Sequence, residues 1–373
     1  MEYNINSVRS FQKRDKSTGI VSAISKIEAI VGRDPGKRGV QHLRIPSSLL
    51  DICRSLHETL LIHQSKRLNP GNQSGSKSKE GPLSDPGFPV VGILVGFPCL
   101  EGPIPEENDG IAGTVYLIRA LQAAGFEVEV LVDSWSSSAM ECFRECHVAG
   151  FTHRPVQIRR VSPLEVSNDV RNFGSDAPLD AYSHLISIEC ASPAIDGQFY
   201  TMRGRDMTPK LSGGLASLYM RANTTPEVTT VGIGDGGNEL GMGKVRRKVV
   251  DHIPEGELIG SDVSCDHLLA CGVSNWGGFA VAAGLFLLRR EESRKGTIKQ
   301  EEETGQVISQ EPDWQEFLLD EEAGERLMRW VGEMGFRDGV TGETGMTVDG
   351  MEYEEVHLPI AREIMYNILY CGN

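Results

Sequence analysis

Pro89-Val-Val-Gly-Ile-Leu-Val-Gly-Phe97 is a nearly continuous apolar run, as expected of a strand covered on both faces. A polar loop, Pro98 to Asp109, follows it, and then a helical pattern from about Gly110 to Ala124. Gly125 is a natural helix terminator. The next strand is Phe126-Glu-Val-Glu-Val-Leu-Val132. Strand, helix and strand with short joins predict a right-handed βαβ unit in a parallel sheet.

The same rhythm continues downstream. His184–Ile188, Val228–Ile233 and His267–Cys271 read as further strands, and Phe279–Arg289, Trp314–Met334 and Leu358–Leu369 as helices. Upstream, Ile20–Val31 and Ser47–Gln64 are amphipathic, joined by the turn-rich basic loop Gly32-Arg-Asp-Pro-Gly-Lys-Arg-Gly39. The expected class is α/β: a mostly parallel, Rossmann-like three-layer sheet with helices on both faces and polar loop insertions. A disordered tail is expected over 1–19 and a single domain over 20–373. Flexible insertions are expected at about 65–88, rich in Ser, Gly, Lys and Pro, and at 290–312, highly charged without an apolar face.

Bulk properties narrow the function. The 373 residues carry a formal charge of −15, a pI near 5.1 and 39% hydrophobic residues. So acidic a chain repels nucleic acid and anionic membrane, and neither is expected as a partner. A small-molecule substrate is expected, and self-association into a homo-oligomer stays open. No apolar run is long enough for a membrane span. Arg9, Lys13, Arg14 and Lys16 suit a weak mitochondrial presequence, whereas Glu2 and Asp15 oppose one, so both the mitochondrial matrix and the cytoplasm are carried forward. The 8 cysteines are too sparse for a disulfide framework and fit a reducing compartment. Cys142, Cys146 and His147 lack a second ligand pair at zinc spacing and read as one helix face.

Polar clusters follow the strands, where open parallel sheets bind ligands. The richest is Gly232-Ile-Gly-Asp-Gly-Gly-Asn-Glu-Leu-Gly-Met-Gly243, with six glycines. That density implies left-handed turns or backbone N–H groups close to a ligand, with Gly236 and Gly237 at its centre. Its opening also matches G-x-G-x-x-G, but Asp235 would repel a pyrophosphate there. Asp235 and Glu239 are candidates for acid/base work or for holding a divalent cation, Mg²⁺ or Mn²⁺. The bland alternative has Asp235 and Asn238 merely bonding turn backbone.

Three further clusters complete the candidate site. In Glu189–Asp206, Glu189 ends an apolar strand where burial would raise its pKa. There Arg203 and Arg205 can clamp a carboxylate, and Asp196 and Tyr200 are candidate contacts. In Pro98–Gly110, Glu107 and Asn108 can face a ligand, and Asp109 is either an acid or the cap of the following helix. Ser274-Asn275-Trp276-Gly277-Gly278 offers Asn275 for hydrogen bonding and Trp276 as a flat wall. Val348-Asp349-Gly350 and His357 are weaker candidates.

Together, Gly32–Leu43, Val91–Leu100, Glu107-Asn-Asp-Gly110, Glu189–Asp206, Ile233–Gly243, Val273–Gly278 and Val348–Gly350 resemble the D-glutamate cyclase family, in its C-terminal domain taken as a stand-alone unit. The family usually has Glu-Thr-Asp-Gly at 107–110 and Glu-Arg-Pro-Gly at 189–192, where this chain has Asn108 and Cys190-Ala-Ser192. The acids are retained and the arginine is not. No hydratase-like N-terminal domain is expected. The resemblance implies cyclisation of D-glutamate to 5-oxo-D-proline with loss of water. Glu189 and Asp235 are then the preferred acid/base pair, with Asp109 and Glu239 supporting them. Arg203 would hold the α-carboxylate, and Asn238 and Asn275 the amine or a developing oxyanion. Two other classes stay open: a metal-dependent hydrolase or phosphate-handling enzyme using the Asp235/Glu239 loop, and a non-catalytic small-molecule sensor. A two-thiol racemase built on Cys99, Cys190, Cys265 and Cys271 is weighed against buried structural thiols.

Overall fold

The computed structural model describes residues 16–68, 88–134, 136, 138–162, 179–304 and 311–370. Six parallel strands form one sheet: β1 (Val90–Gly96), β2 (Glu127–Asp133), β3 (Gln157–Val161), β4 (Tyr182–Cys190), β5 (Thr229–Gly234) and β6 (His267–Ala270). Their spatial order is β3-β2-β1-β4-β5-β6. The order reverses direction between β1 and β4, so the carboxyl ends of those strands open a crevice for ligand.

The helices are α1 (Lys16–Val31), α2 (Ser48–Leu68), α3 (Ile111–Ala124), α4 (Ser138–Glu145), α5 (Gly214–Ala222), α6 (Arg246–His252), α7 (Gly256–Ile259), α8 (Ser274–Thr304), α9 (Trp314–Phe317), α10 (Glu321–Glu333) and α11 (Leu358–Leu369). Alternation along the strands builds two cores, one on each sheet face. Val91, Ile93 and Val95 join Ile24, Leu56, Ile118 and Phe286 in one. Leu94, Leu131 and Leu185 join Leu218, Tyr219 and Val249 in the other. The three-layer α/β architecture is thus present. No described helix is long and apolar enough to cross a membrane.

The main differences from expectation lie in charged segments. The run expected as a mobile insertion at 290–312 continues α8 to Thr304. Ion pairs along its surface, Arg289 with Glu292 and Lys295 Nζ with Glu291 at 2.9 Å, support the helix at i,i+3 and i,i+4. Arg290 is buried and donates to the Ile368 carbonyl at 3.0 Å, so this stretch packs despite its charge; 305–310 lie outside the described residues. The insertion expected at 65–88 begins later, since α2 reaches Leu68 and 69–87 lie outside the described residues. Of the expected tail, 1–15 lie outside the described residues and α1 begins at Lys16. Strand β3 was not foreseen: Gln157-Ile-Arg-Arg-Val161 has little apolar signal because it lies at the sheet edge. There Arg159 Nε donates to Glu129 at 2.8 Å.

Candidate active site

The crevice is a cavity of about 350 Å³ lined by Glu107, Glu189, Asp235, Asn238 and Asp349, with Phe97, Cys99, Thr201 and Met202, and with Lys37, Arg38, Arg203 and Arg205. Chain segments meet in it from the basic loop near the start of the chain, from the ends of strands β1, β4 and β5, and from the C-terminal stretch that carries Asp349.

Glu189 reaches the cavity through a bulge. Val95 pairs with Ile188 and Gly96 with Cys190, which leaves Glu189 as the extra residue. Its φ of 40° is left-handed, a conformation that costs energy in a non-glycine residue and concentrates at functional sites. Gly110 is required alongside, because a Cβ there would lie 2.5 Å from that of Glu189. The Glu189 carboxyl accepts from Ser274 Oγ at 2.6 Å.

Arg38 is delivered by the basic loop. Asp34 ties that loop, accepting the N–H of Arg38 at 3.0 Å and of Gly39 at 2.7 Å. One nitrogen of Arg38, Nη2, then donates to Asp235 Oδ2 at 2.9 Å, Asp349 Oδ2 at 3.1 Å and the Gly272 carbonyl at 2.7 Å. Arg38 Nε is buried with no partner. Asp349 arrives from a hairpin of β7 (Thr347–Val348) and β8 (Met351–Glu352). Its turn residues Asp349 and Gly350 have φ of 57° and 74°, the Asp-Gly preference of a two-residue turn with both φ positive. Asp338 holds the hairpin by accepting from Gly350 N at 2.7 Å.

Crowding acids without water shifts their protonation. Burial raises Asp235 to about 8, opposed by the Arg38 charge and reinforced by Asp109 and Glu239. Burial and the neighbouring Asp349 raise Asp109 to about 7. Burial, followed by the negative charges of surrounding acids, holds Glu107, Glu189 and Asp349 well above the ordinary carboxyl range. Burial opposes the charge of Arg38, but Asp235 and Asp349 outweigh it and hold its pKa well above the usual value. Burial thus raises the proton affinity of the whole acid cluster around one fixed cation.

Several expected site residues are structural instead. Both oxygens of Glu239 are used by its own loop: Oε1 accepts from the N–H of Asp235 at 2.7 Å and Gly236 at 2.5 Å, and Oε2 from Gly237 at 2.7 Å. Glu239 thus spends its carboxylate on tying its own loop, and Gly236 and Gly237 have spent their N–H groups. Asn275 lies in the first turn of α8, where its Oδ1 accepts from Gly113 N at 2.6 Å and locks α3 to α8. Trp276 is buried and donates to His357 Nδ1 at 3.0 Å, away from the cavity. Burial lowers the pKa of His357, and its Nε2 meets the Met351 carbonyl at 3.1 Å, a structural position. Asp196 bonds Tyr200 Oη at 2.6 Å on the exposed side of its loop, and neither lines the cavity. Asp109 does not cap the helix that follows it. It caps α8, accepting from Ser274 N at 2.9 Å and Asn275 N at 2.8 Å. Asn238 lines the cavity, its Nδ2 donating to the Tyr200 carbonyl at 2.7 Å. Arg203 lies at the exposed rim.

Arg38, Glu107 and Asp349 are the cavity residues that the sequence reading under-weighted or missed. The Asp-Gly turn and the basic loop were visible signals, but nothing local says that they converge.

One oxygen from each of Asp109, Glu189 and Asp235 lies within 4.8 Å of the others. Hard oxygen donors of this kind suit Mg²⁺ or Mn²⁺. Among the described residues this trio, rather than Asp235 with Glu239, is the cluster whose oxygens could hold a cation. The cysteines do not form a thiol pair here: burial raises Cys99, which lines the cavity, and likewise Cys190, Cys265 and Cys271.

Comparison with known proteins places the chain in a family. Residues 27–365 match the family described as D-glutamate cyclase-like, C-terminal. The chain is 30% identical over 370 residues to the human protein named D-glutamate cyclase, mitochondrial, a match covering 98% of this chain and 53% of the relative. It thus spans about half the length of that relative. The chain belongs to the D-glutamate cyclase-like C-terminal family.

Proposed function

We propose that the cavity closes D-glutamate into 5-oxo-D-proline with loss of water. The observation that carries this reading is the group of buried carboxyls of raised pKa around Arg38 in a cavity suited to a small acid. Ring closure needs a base for the ammonium and an acid for the departing oxygen, both held out of bulk water. Family membership supports the reaction class.

Asp235 is assigned as the base. It shares the charge of Arg38, and its raised pKa, about 8, makes it a stronger base than an ordinary carboxylate and so better matched to an ammonium. Glu189 is assigned as the acid, since burial and the surrounding acids raise its pKa and Ser274 orients it. The ammonium gives one proton to Asp235. The freed nitrogen attacks the γ-carboxyl carbon, and Glu189 protonates the resulting oxyanion. The nitrogen then returns a second proton to Glu189 while the hydroxyl leaves as water with the proton from Asp235. Both acids are restored. Arg203 holds the α-carboxylate, and Asn238 lies beside the reacting end. A cation held by Asp109, Glu189 and Asp235 would polarise the γ-carboxyl.

The test is incubation of the purified chain with D- and L-glutamate, with and without Mg²⁺ or Mn²⁺, followed by assay for 5-oxoproline. The expected result is 5-oxoproline from the D isomer. Thermal stabilisation by D-glutamate without turnover would identify a sensor and overturn the cyclase reading. Cell fractionation separates the mitochondrial from the cytoplasmic assignment.

A further inference from the structure

The same cavity is strongly polarised. Its floor holds Glu107, Glu189, Asp235 and Asp349, and its rim holds Lys37, Arg203 and Arg205. Arg38 is already committed to Asp235 and Asp349. Among the described residues, no carboxylate lies within ion-pair distance of Lys37, Arg203 or Arg205, and the one hydrogen bond from a side chain of these three goes from Arg205 to the Cys99 carbonyl at 3.4 Å. Other basic residues near acids are paired: Lys210 meets Glu101 at 2.7 Å and Arg159 meets Glu129 at 2.8 Å. In a chain of net charge −15, three cations with no ion-pair partner among the described residues thus face one opening.

We propose that Lys37 and Arg205 form an oxyanion subsite at the cavity rim that takes a phosphate group, so that the cavity binds phosphorylated small acids as well as D-glutamate. The proposal rests on the cyclase reading for one point only, the assignment of Arg203 to the substrate α-carboxylate. With Arg203 used in that way, two positive charges remain. A zwitterionic dicarboxylic amino acid carries a net charge of only −1 and leaves them unmatched. A phosphate group carries about −1.5 to −2 at neutral pH and matches both. It also brings three acceptor oxygens, enough for an ammonium and a guanidinium together.

The local backbone fits this role. Lys37 sits at φ 53°, turned out from the loop that Asp34 ties. The turn carrying Arg203 and Arg205 is closed by Thr201, whose Oγ1 accepts from Arg203 N at 3.3 Å and Arg205 N at 3.2 Å. Both guanidinium groups are thus presented from one short turn, and Gly204 between them has φ 70°.

The experiment measures binding of inorganic phosphate to the full chain by calorimetry, with acetate at matched ionic strength as control. Phosphate is expected to bind about tenfold tighter than acetate, because it engages two cations through charge-assisted hydrogen bonds. Lys37→Ala and Arg205→Ala are each expected to remove most of that preference. Both side chains are exposed, and an unchanged melting temperature without ligand checks that each variant is folded. Equal binding of phosphate and acetate overturns the subsite, as does a preference that survives both substitutions. If phosphate binds as described but D-glutamate is not cyclised, the cyclase reading falls and the subsite stands. Cyclisation without a phosphate preference sinks the subsite alone.

Discussion

Two cavities of similar size sit in this molecule and differ in almost everything else. One, of about 350 Å³, opens at the carboxyl ends of the strands. The other, of about 310 Å³, lies among α3, α8, α10 and α11 and is lined by Tyr116, Phe279, Tyr353, Met365 and Tyr366. The charged groups of the second are engaged: Arg362 pairs with Glu321 at 2.5 Å, and Asp320 caps α10 through Ala323 N at 2.8 Å. In the first, acids are buried beyond what one arginine can neutralise, and the rim cations have no carboxylate at ion-pair distance among the described residues. Volume is shared by both. Unsettled charge, the property that can do chemistry, belongs to one.

The sharpest way to break this contrast is Asp235→Asn. It removes the base while preserving shape, so turnover of D-glutamate should fall by about 10³-fold, within the range for a lost general base. The melting temperature should change little. Wild-type turnover in a folded variant would remove Asp235 from the mechanism. Arg38→Met should cost less, about 10²-fold, since Asp235 stays but loses its counter-charge. The Arg38 charge lowers the pKa of Asp235, so its loss moves the acid limb of the pH–rate profile to higher pH. Arg38→Lys should restore part of both effects. A profile unmoved in Arg38→Met would show that Arg38 is only structural.

These residues also mark how far sequence carries. The apolar run at 89–97 and the repeated strand–helix rhythm made the parallel sheet legible, because local periodicity encodes burial on each face. Asp235 and Glu189 were legible as candidates because they end strands. Glu239 was read as Asp235's chemical twin, yet four residues along the same loop turn one carboxyl toward the cavity and the other onto three backbone amides. That outcome depends on positive-φ glycines, which composition flags but does not orient. Arg38 and Asp349 lie 311 residues apart, and no local pattern says that they meet.

Glu239→Gln tests that division within the loop. The amide cannot replace a carboxylate toward three N–H donors, so the chain should lose about 2 kcal/mol of stability. The protein that remains folded should turn over near the wild-type rate, in contrast to Asp235→Asn. A collapse of turnover per folded molecule would return Glu239 to the catalytic set.

The acid cluster also predicts how stability varies with pH. Asp109 and Asp235 have folded pKa values of about 7 and 8, against roughly 4 when unfolded. The folded state therefore holds protons that the unfolded chain releases. This stability is fully present below about pH 4 and is lost as pH rises through 7 and 8. Denaturant titrations should show stability falling between pH 5 and 8. In Asp235→Asn one such proton is gone, and the slope should ease by about 1 kcal/mol per pH unit. An identical slope would mean that Asp235 is ionised throughout.

The smallest effect is expected in the second cavity, where Ala361→Leu adds apolar bulk on α11. Ala361 lines that space, so the larger side chain fills it rather than displacing packed atoms, and stability should change by no more than about 1 kcal/mol. Turnover of D-glutamate should stay within about twofold of wild type, because mutations away from reacting groups act through stability and not through transition-state contacts. The path that could transmit an effect is known: Tyr353 lines the apolar cavity and begins the turn that carries His357, which accepts from Trp276 in the first turn of α8. A tenfold change in turnover at unchanged stability would show that this path couples the two cavities, and the contrast between them would then be one of role and not of independence.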